Sequence, residues 1–284
     1  MTLLRQKMIE AMQLRGFSAR THQSYLSAVS ALAKYYGRSR ERLSRDELQT
    51  YFLYLVTERG LSGASCRVYL NALRFLYLQV LGRDAFDVSL QVPRKAQQLP
   101  ELLTRKEVRA LLASTNHPKH RALLALCYGC GLRVSEVVAV KVRQLDGERH
   151  LQRIEQGKGA KDRLVIVSPT LLEHLRRYWQ TCRPQTWLFP GSKPSEALGV
   201  SSAQKVFTAA KRHAGIEKVG GIHSLRHAYA THQLEAGVPV HQLQRLLGRH
   251  NIQSTLRYVH WVAGYRCGDQ ASPDLLAALE HDSE

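Results

Sequence analysis

The segment His223-Ser-Leu-Arg226-His227 places an arginine between two histidines at the start of a stretch with helical apolar spacing. Downstream the chain reads Leu256-Arg-Tyr258, so a tyrosine follows the arginine and the two histidines. Arginine can donate two parallel hydrogen bonds to phosphate oxygens, histidine moves protons near neutral pH, and tyrosine can act as a covalent nucleophile. This stretch therefore predicts a helical domain of an enzyme that acts on nucleic acid.

Two upstream segments add further candidate catalytic residues. One reads Gly131-Leu-Arg133-Val-Ser-Glu136, and the other reads Gly157-Lys158-Gly159. Together the chain then carries, in order, an arginine, a lysine, a histidine, a second arginine and a tyrosine, which are the groups needed to break a phosphodiester without a metal. Glu136 follows Arg133 by three residues, so we expect it to orient an arginine from the same helical face. Each piece alone is common, but the ordered set is specific.

These segments resemble the tyrosine recombinase family, also called the phage integrase or Xer-like family, and the resemblance is densest from Leu102 to Trp261. It implies a mainly α fold with a small β-sheet. An N-terminal helical bundle, the SAM-like core-binding domain, would clamp DNA ahead of a C-terminal catalytic domain. The resemblance also implies a catalytic set, which is Arg133, Lys158, His223, Arg226, Arg249 and Tyr258.

One position departs from the family pattern. Where the family has His or Trp after the Leu-Gly pair, this chain has Arg249, and His250 follows. One helical residue turns a side chain by about 100°, which favours Arg249, although a helix end at Gly248 would free the next residues. We therefore place Arg249 in the site, with His250 as the alternative. Arginine cannot act as a base at neutral pH, so a weakened or inactive DNA-binding relative is the alternative function.

The resemblance implies the following chemistry. Tyr258 would attack a DNA phosphate, the 3′ side would stay on the enzyme, and Lys158 would protonate the 5′ oxygen that leaves. His223 would assist proton removal from Tyr258 or orient the phosphate. No metal, ATP or other cofactor is needed. Strand exchange of this kind serves integration, excision or resolution of DNA, and the sequence does not distinguish phage, transposon, integron or chromosomal roles. Tyr265 is a weaker candidate nucleophile.

The resemblance also implies the partners. They are double-stranded DNA with paired recombination sites and other copies of the chain in a tetrameric synapse. The chain carries 41 Lys and Arg against 23 Asp and Glu, a formal +18. All 41 basic residues but only 18 of the acidic ones precede Cys267, so residues 1–266 carry a formal +23, the electrostatic footprint of a nucleic-acid binder. A soluble basic protein without this partner is the alternative.

Domain boundaries come from composition and capping signals. We predict a helical core-binding domain over residues 1–82, a linker over 83–98, a catalytic domain over 99–266 and an acidic tail over 267–284. The linker is rich in Pro, Gln and basic residues, and the capping boxes Ser44-x-x-Glu47 and Thr104-x-x-Glu107 open helices on either side of it. The tail contains the apolar segment Leu275–Leu279, which we expect to dock on another subunit, as the resemblance implies; disorder is the alternative.

Periodicity predicts the elements of both domains. A helix is expected from Ser65 to Leu81, with an apolar stripe opposite Arg67, Asn71 and Arg74. Those three residues and Lys161 are candidate DNA contacts, although a solvated face is the alternative. Strands are expected at 151–154 and 163–167, with Lys158 at the tip between them. Further helices are expected near 105–114, 120–130, 135–142, 169–181, 201–214, 224–236, 239–247 and 254–262.

Other classes are disfavoured. His223, His227 and His232 admit a metal hydrolase, but no Glu lies between the first two and no acidic cluster suits two-metal chemistry. Five cysteines do not form an even disulfide framework, and Cys127 and Cys130 read as buried core residues. No signal peptide or membrane-length apolar run is seen, so we expect a cytoplasmic protein that works on the bacterial nucleoid.

Overall fold

The computed structural model describes residues 2–37, 43–86, 88, 101–155, 162–248 and 251–262. The chain divides into two compact units, Met1–Gln98 and Leu99–Glu284. Most of the expected linker and all of the expected acidic tail lie outside the described residues. Of the residues described, no helix is long and apolar enough to cross a membrane.

The first unit is a helical bundle. Its helices are α1 (Leu3–Leu14), α2 (Ala19–Tyr36), α3 (Arg45–Thr57) and α4 (Gly63–Arg74), and α4 continues as a π-helix over Phe75–Val80. The capping box predicted at Ser44 and Glu47 is confirmed, because the Ser44 side chain accepts from the Glu47 amide and the Glu47 carboxylate accepts from the Ser44 amide. The core is formed by buried apolar and aromatic side chains, including Met8, Leu32, Phe52, Leu73 and Tyr77.

The helix predicted from Ser65 to Leu81 is observed as α4 and the π-helix that continues it to Val80. The backbone widens after Arg74, and the Leu81 amide donates to the Leu76 carbonyl five residues back. Two aromatic contacts accompany this widening: the Phe75 ring lies 5.3 Å from that of Phe17, and the Tyr77 ring lies 5.7 Å from that of Phe86. Because both rings are buried, tertiary packing accounts for a local geometry that periodicity does not predict.

The second unit combines helices with one small sheet. Its helices are α5 (Arg105–Ala113), α6 (Pro118–Gly129), α7 (Val134–Val138), α8 (Pro169–Cys182), α9 (Val200–His213), α10 (His223–Glu235), α11 (Val240–Leu246) and α12 (Gln253–Val259). Strands β1 (Leu145–Asp146), β2 (Leu151–Ile154) and β3 (Arg163–Ile166) form an antiparallel sheet in that order. The capping box at Thr104 and Glu107 is confirmed, and so is the burial of Cys127 and Cys130.

The helix predicted from Ser135 toward Val142 was too long. It ends at Val138, because the next residues pair with another segment: the Val140 carbonyl accepts from the Leu188 amide at 2.8 Å, and the Val142 amide donates to the Thr186 carbonyl at 3.1 Å. Strand β1, which follows, was not predicted. Its two residues pair with β2 only after this extended segment has positioned them.

Candidate active site

Arg226 is the buried centre of the site. It lies on α10 and is 0% exposed. A buried guanidinium requires hydrogen-bond acceptors, and here one terminal nitrogen donates to the Gly131 carbonyl at 2.6 Å and the other donates to the Leu247 carbonyl at 2.7 Å. The arginine therefore joins three chain segments, the turn before α7, the helix α10 and the end of α11.

Gly131, the glycine of the Gly-Leu-Arg segment, allows the turn before α7 to pack closely against α10. Gly131 has a φ of 57°, which L side chains rarely adopt. A Cβ at that position would lie 2.4 Å from Cδ1 of Tyr229 on α10. Glycine is required here because its backbone must pass close to α10, and the same approach brings the Gly131 carbonyl to Arg226.

Glu136 contacts three arginines of the site. Its carboxylate accepts from the Arg133 amide at 2.8 Å and from the Arg133 guanidinium at 2.6 Å. It also accepts two hydrogen bonds from Arg163, each at 2.8 Å, and one oxygen lies 3.7 Å from an Arg226 nitrogen. The prediction that Glu136 orients an arginine is confirmed, and three arginines converge on it.

The cluster of Arg133, Arg163, Arg226 and Glu136 carries a charge that can attract an anion. Burial alone would raise the pKa of Glu136, but hydrogen bonds from Arg163 and from the Arg133 backbone, with the charges of both arginines, lower that pKa to about 2. Glu136 is thus a carboxylate at neutral pH. Three guanidinium groups against one carboxylate leave an excess of positive charge, which attracts a phosphate diester.

Sequence reasoning missed Arg163. It is the first residue of β3, and its side chain is mostly buried between Glu136 and Gly248. Gly248 has a φ of 58°, and a Cβ there would lie 2.5 Å from Cδ of Arg163. The sequence signalled that Gly248 ends a helix, and α11 does end just before it, at Leu246. Nothing in the local sequence signalled that Arg163 packs against it.

Tyr258 lies on α12 and is 1% exposed. Its hydroxyl is 3.1 Å from Nδ1 of His227, and its ring meets that of Trp261 edge-on at 5.1 Å. The sequence named His223 as the histidine that assists proton removal from this tyrosine or orients the phosphate. In the structure the His223 ring packs edge-on against the His227 ring at 4.7 Å, and His227 holds the hydroxyl. The i, i+4 spacing of the two histidines was the signal that both share one helical face.

His232, the third histidine of the metal-hydrolase alternative, has a separate partner. Its Nδ1 lies 2.9 Å from the Tyr128 hydroxyl. Across the described part of the chain, no three His, Cys, Asp or Glu side chains are grouped so as to hold a metal ion.

Several predicted residues cannot be placed. Lys158, Lys161, Arg249, His250 and Tyr265 lie outside the described residues. In the chain, both lysines belong to the connection between β2 and β3, and Arg163 of the cluster is the residue that begins β3.

The candidate DNA contacts in the first unit can be placed. Arg67, Asn71 and Arg74 are exposed on one side of α4, while its Leu73 is buried. The arrangement predicted for this helix, an apolar stripe opposite a polar face, is confirmed.

Comparison with known proteins gives consistent matches. The model of the phage integrase family matches residues 101–263, and that of the phage integrase N-terminal SAM-like domain matches residues 4–87. A protein of Sinorhizobium fredii that bears the name integrase/recombinase is 40% identical over 277 residues, which are 97% of this chain and 90% of the relative. Tyrosine recombinase XerA of Pyrococcus horikoshii is 31% identical over 250 residues, 87% of this chain and 85% of the relative.

The fold is also found in solved structures. The Tn1549 transposon integrase in complex with circular intermediate DNA matches with a TM-score of 0.73 at 17% identity, and the match covers 99% of each chain. At that identity the likeness is one of fold.

Proposed function

The chain belongs to the phage integrase family and is a tyrosine recombinase, and we propose that Tyr258 is the nucleophile with which it cuts DNA. The observation that carries this proposal is the convergence of Arg133, Arg163 and Arg226 on Glu136, in the same unit as a tyrosine whose hydroxyl is held by a histidine. An anion-attracting cluster and a positioned hydroxyl are the two elements that a phosphoryl-transfer site needs.

In the proposed reaction, the Tyr258 oxygen forms a bond to a DNA phosphorus and the bond to the 5′ oxygen breaks. The 3′ side stays on the enzyme as a phosphotyrosine. Negative charge grows on the nonbridging oxygens in the transition state, and Arg133 and Arg226 stabilise it. The buried contacts of Arg226 to two backbone carbonyls support this role, because they fix the guanidinium before the substrate arrives.

The remaining groups act on the leaving oxygen and on the phosphate. Lys158 gives a proton to the leaving 5′ oxygen, His223 orients the phosphate, and Arg249 adds a hydrogen bond to it. The phosphotyrosine retains the energy of the broken bond, so a 5′ hydroxyl from another strand can attack it without ATP. Neither a metal nor another cofactor is used. Integration, excision and resolution of DNA all follow from this exchange.

DNA is the proposed partner of both units. Residues 1–82 act as the core-binding domain and residues 99–266 as the catalytic domain, joined by the linker 83–98. The exposed face with Arg67, Asn71 and Arg74, together with Lys161, contacts the phosphate backbone. Matches to DNA-bound integrases and the formal +18 of the chain support this partner. On paired sites in the bacterial cytoplasm, four copies assemble, and the tail 267–284 links them.

Trapping a covalent adduct on a nicked suicide substrate tests the proposal. The wild-type protein should form an adduct in EDTA, and Tyr258→Phe should bind the same DNA with similar affinity but form none. Tyr128→Phe is the matched control, because it also removes a tyrosine hydroxyl that contacts a histidine of α10. Adduct formation by Tyr258→Phe, or strong inhibition by EDTA, would contradict the proposal. DNA binding without any wild-type adduct would favour the inactive relative.

A further inference from the structure

A histidine that the family resemblance does not assign touches the proposed nucleophile. Nδ1 of His227 is 3.1 Å from the Tyr258 hydroxyl oxygen, which is hydrogen-bond distance. Resting on the proposed function of Tyr258, we propose that His227 is a catalytic residue that accepts the phenolic proton as the tyrosine attacks the phosphorus.

The need for an acceptor follows from the chemistry of phenols. A tyrosine hydroxyl has a pKa of about 10 in water, so at neutral pH almost all of it is protonated and weakly nucleophilic. A base within hydrogen-bond reach can remove the proton in the transition state, and such a contact typically contributes about 10²- to 10⁴-fold in rate. Neutral histidine is suited to this task because one ring nitrogen accepts while the other carries a hydrogen.

The surroundings hold His227 in position to act. Its ring packs against Tyr258 at 5.6 Å and meets the Trp261 ring edge-on at 5.5 Å. On its other side the His223 ring lies 4.7 Å away, also edge-on. His227 directly follows Arg226 on α10, so the rigid helix that carries the proposed phosphate ligand also carries the proposed base.

The step balances without any further reactant. When the bond between the Tyr258 oxygen and phosphorus forms, the phenolic proton passes to Nδ1 of His227, whose ring becomes imidazolium. The bond to the 5′ oxygen breaks, and that oxygen takes its proton from Lys158. In the joining step the incoming 5′ hydroxyl attacks and gives its proton to the Lys158 amine, which was left neutral by cleavage, while His227 returns its proton to the departing Tyr258 oxygen. Every transferred proton is thus accounted for.

Two substitutions separate proton transfer from positioning. In His227→Asn the amide occupies nearly the same place as Nδ1 and can hydrogen-bond to the Tyr258 hydroxyl, but it cannot take the proton. His227→Phe removes both abilities. We expect single-turnover adduct formation to fall about a hundredfold or more in each variant, while DNA affinity is unchanged.

The matched control lies on the same helix. His232 contacts the Tyr128 hydroxyl through Nδ1 at 2.9 Å, so His232→Asn changes a similar histidine–tyrosine contact, made between α10 and α6. It should show wild-type adduct formation. If His227→Asn and His232→Asn also have similar thermal stability, loss of fold does not explain the slow cleavage.

The decisive measurement places a more acidic phenol at position 258. Site-specific incorporation of 3,5-difluorotyrosine lowers the phenol pKa toward neutrality, so a base is no longer needed. We expect the difference between the His227→Asn variant and the parent to shrink to less than about tenfold in this background. A structural role for His227 would leave that difference unchanged.

The outcomes distinguish this inference from the proposed function. If the parent forms an adduct through Tyr258 and His227→Asn is as fast, His227 is not the proton acceptor. If His227→Phe cleaves faster than the parent, the contact restrains the tyrosine, and the inference is also overturned. If the parent forms no adduct through Tyr258, the proposed function fails and this inference fails with it.

Discussion

Both terminal nitrogens of Arg163 donate to the two carboxylate oxygens of Glu136, each at 2.8 Å. This contact links the sheet to the helices, because Arg163 begins β3 and Glu136 lies on α7. The pair is largely buried, with side-chain exposures of 14% and 5%. Because the same carboxylate orients Arg133, a proposed phosphate ligand, we expect Arg163 to act on the reaction through Glu136.

Replacing Arg163 should therefore affect stability and cleavage together. Arg163→Met leaves Glu136 with fewer charge partners in a buried place, and breaking a buried pair typically costs about 3–5 kcal/mol. Urea unfolding measures this cost. The control is Arg153→Met, because Arg153 makes a comparable contact to Asp162 on the same hairpin, but at exposures of 60% and 42%. Its cost should stay below about 1 kcal/mol.

A double-mutant cycle identifies how Arg163 acts on the reaction. If it works through Glu136, Arg163→Met should slow adduct formation in the parent and have little further effect in a Glu136→Gln background. Additive losses in the two backgrounds would mean that Arg163 contacts the DNA itself. Single-turnover rates at saturating DNA separate this effect from any loss of affinity.

Gly248→Ala tests the packing of the same arginine. A methyl group there would lie 2.5 Å from Cδ of Arg163, in a backbone with φ of 58°. Gly215→Ala is the matched control, because its φ is 66° and nothing lies within 4 Å of the added Cβ. Both should lose the stability that positive φ costs an L residue, about 1–2 kcal/mol. Only Gly248→Ala should also slow adduct formation. Equal losses of activity would show that backbone strain alone matters.

The depressed pKa of Glu136 predicts an acid-sensitive contribution to stability. Its folded pKa of about 2 lies below the ordinary 4.5, so the contribution is complete above pH 4.5 and is lost as the pH falls toward 2. A shift of this size corresponds to about 3 kcal/mol. Unfolding free energies of the parent and Glu136→Gln, measured across this window, should show a shallower pH slope in the variant. Parallel slopes would contradict the assignment.

Features encoded by short spacing could be predicted from the sequence. Both capping boxes, the contact of Glu136 with Arg133 and the strands on either side of Lys158 each depend on residues close in the chain. The two-unit composition of helices and a small sheet follows from periodicity. In these places local propensity and tertiary structure agree.

Features that depend on distant partners could not be predicted. Arg163 meets Glu136 from 27 residues away, and Arg226 is buried because two backbone carbonyls, of Gly131 and Leu247, happen to face it. His227 looked like a neighbour of the motif, and only the position of α12 brings the Tyr258 hydroxyl to it. The sequence supplies such side chains without indicating which of them meet.

Lys158 can be tested as the general acid even though it lies outside the described residues. Lys158→Ala should slow cleavage of an ordinary 5′-oxygen leaving group. A 5′-bridging phosphorothiolate should largely restore the rate, because sulfur leaves without a proton. Arg163→Met is an informative comparison, since a positioning residue should show no such selective rescue. Equal slowing on both substrates would mean that Lys158 only binds phosphate.

The last prediction concerns the position where this chain departs from its family. The Leu247 carbonyl contacts Arg226 at 2.7 Å, and the left-handed turn at Gly248 then ends the helical path. Position 249 follows Leu247 by two residues in the chain, and position 250 follows it by three. We therefore expect Arg249, rather than His250, to reach the phosphate that Arg226 is proposed to bind.

Three variants on one suicide substrate decide between the two residues. Arg249→Ala should lower the cleavage rate about ten- to a hundredfold, the worth of one charged hydrogen bond of about 1.5–3 kcal/mol, because other basic groups remain on the phosphate. Arg249→His should restore or raise the rate, since it recreates the usual family side chain, and His250→Ala should have little effect. The opposite ranking would assign the role to His250, because the backbone after Gly248 would then direct the second residue, and not the first, toward Arg226.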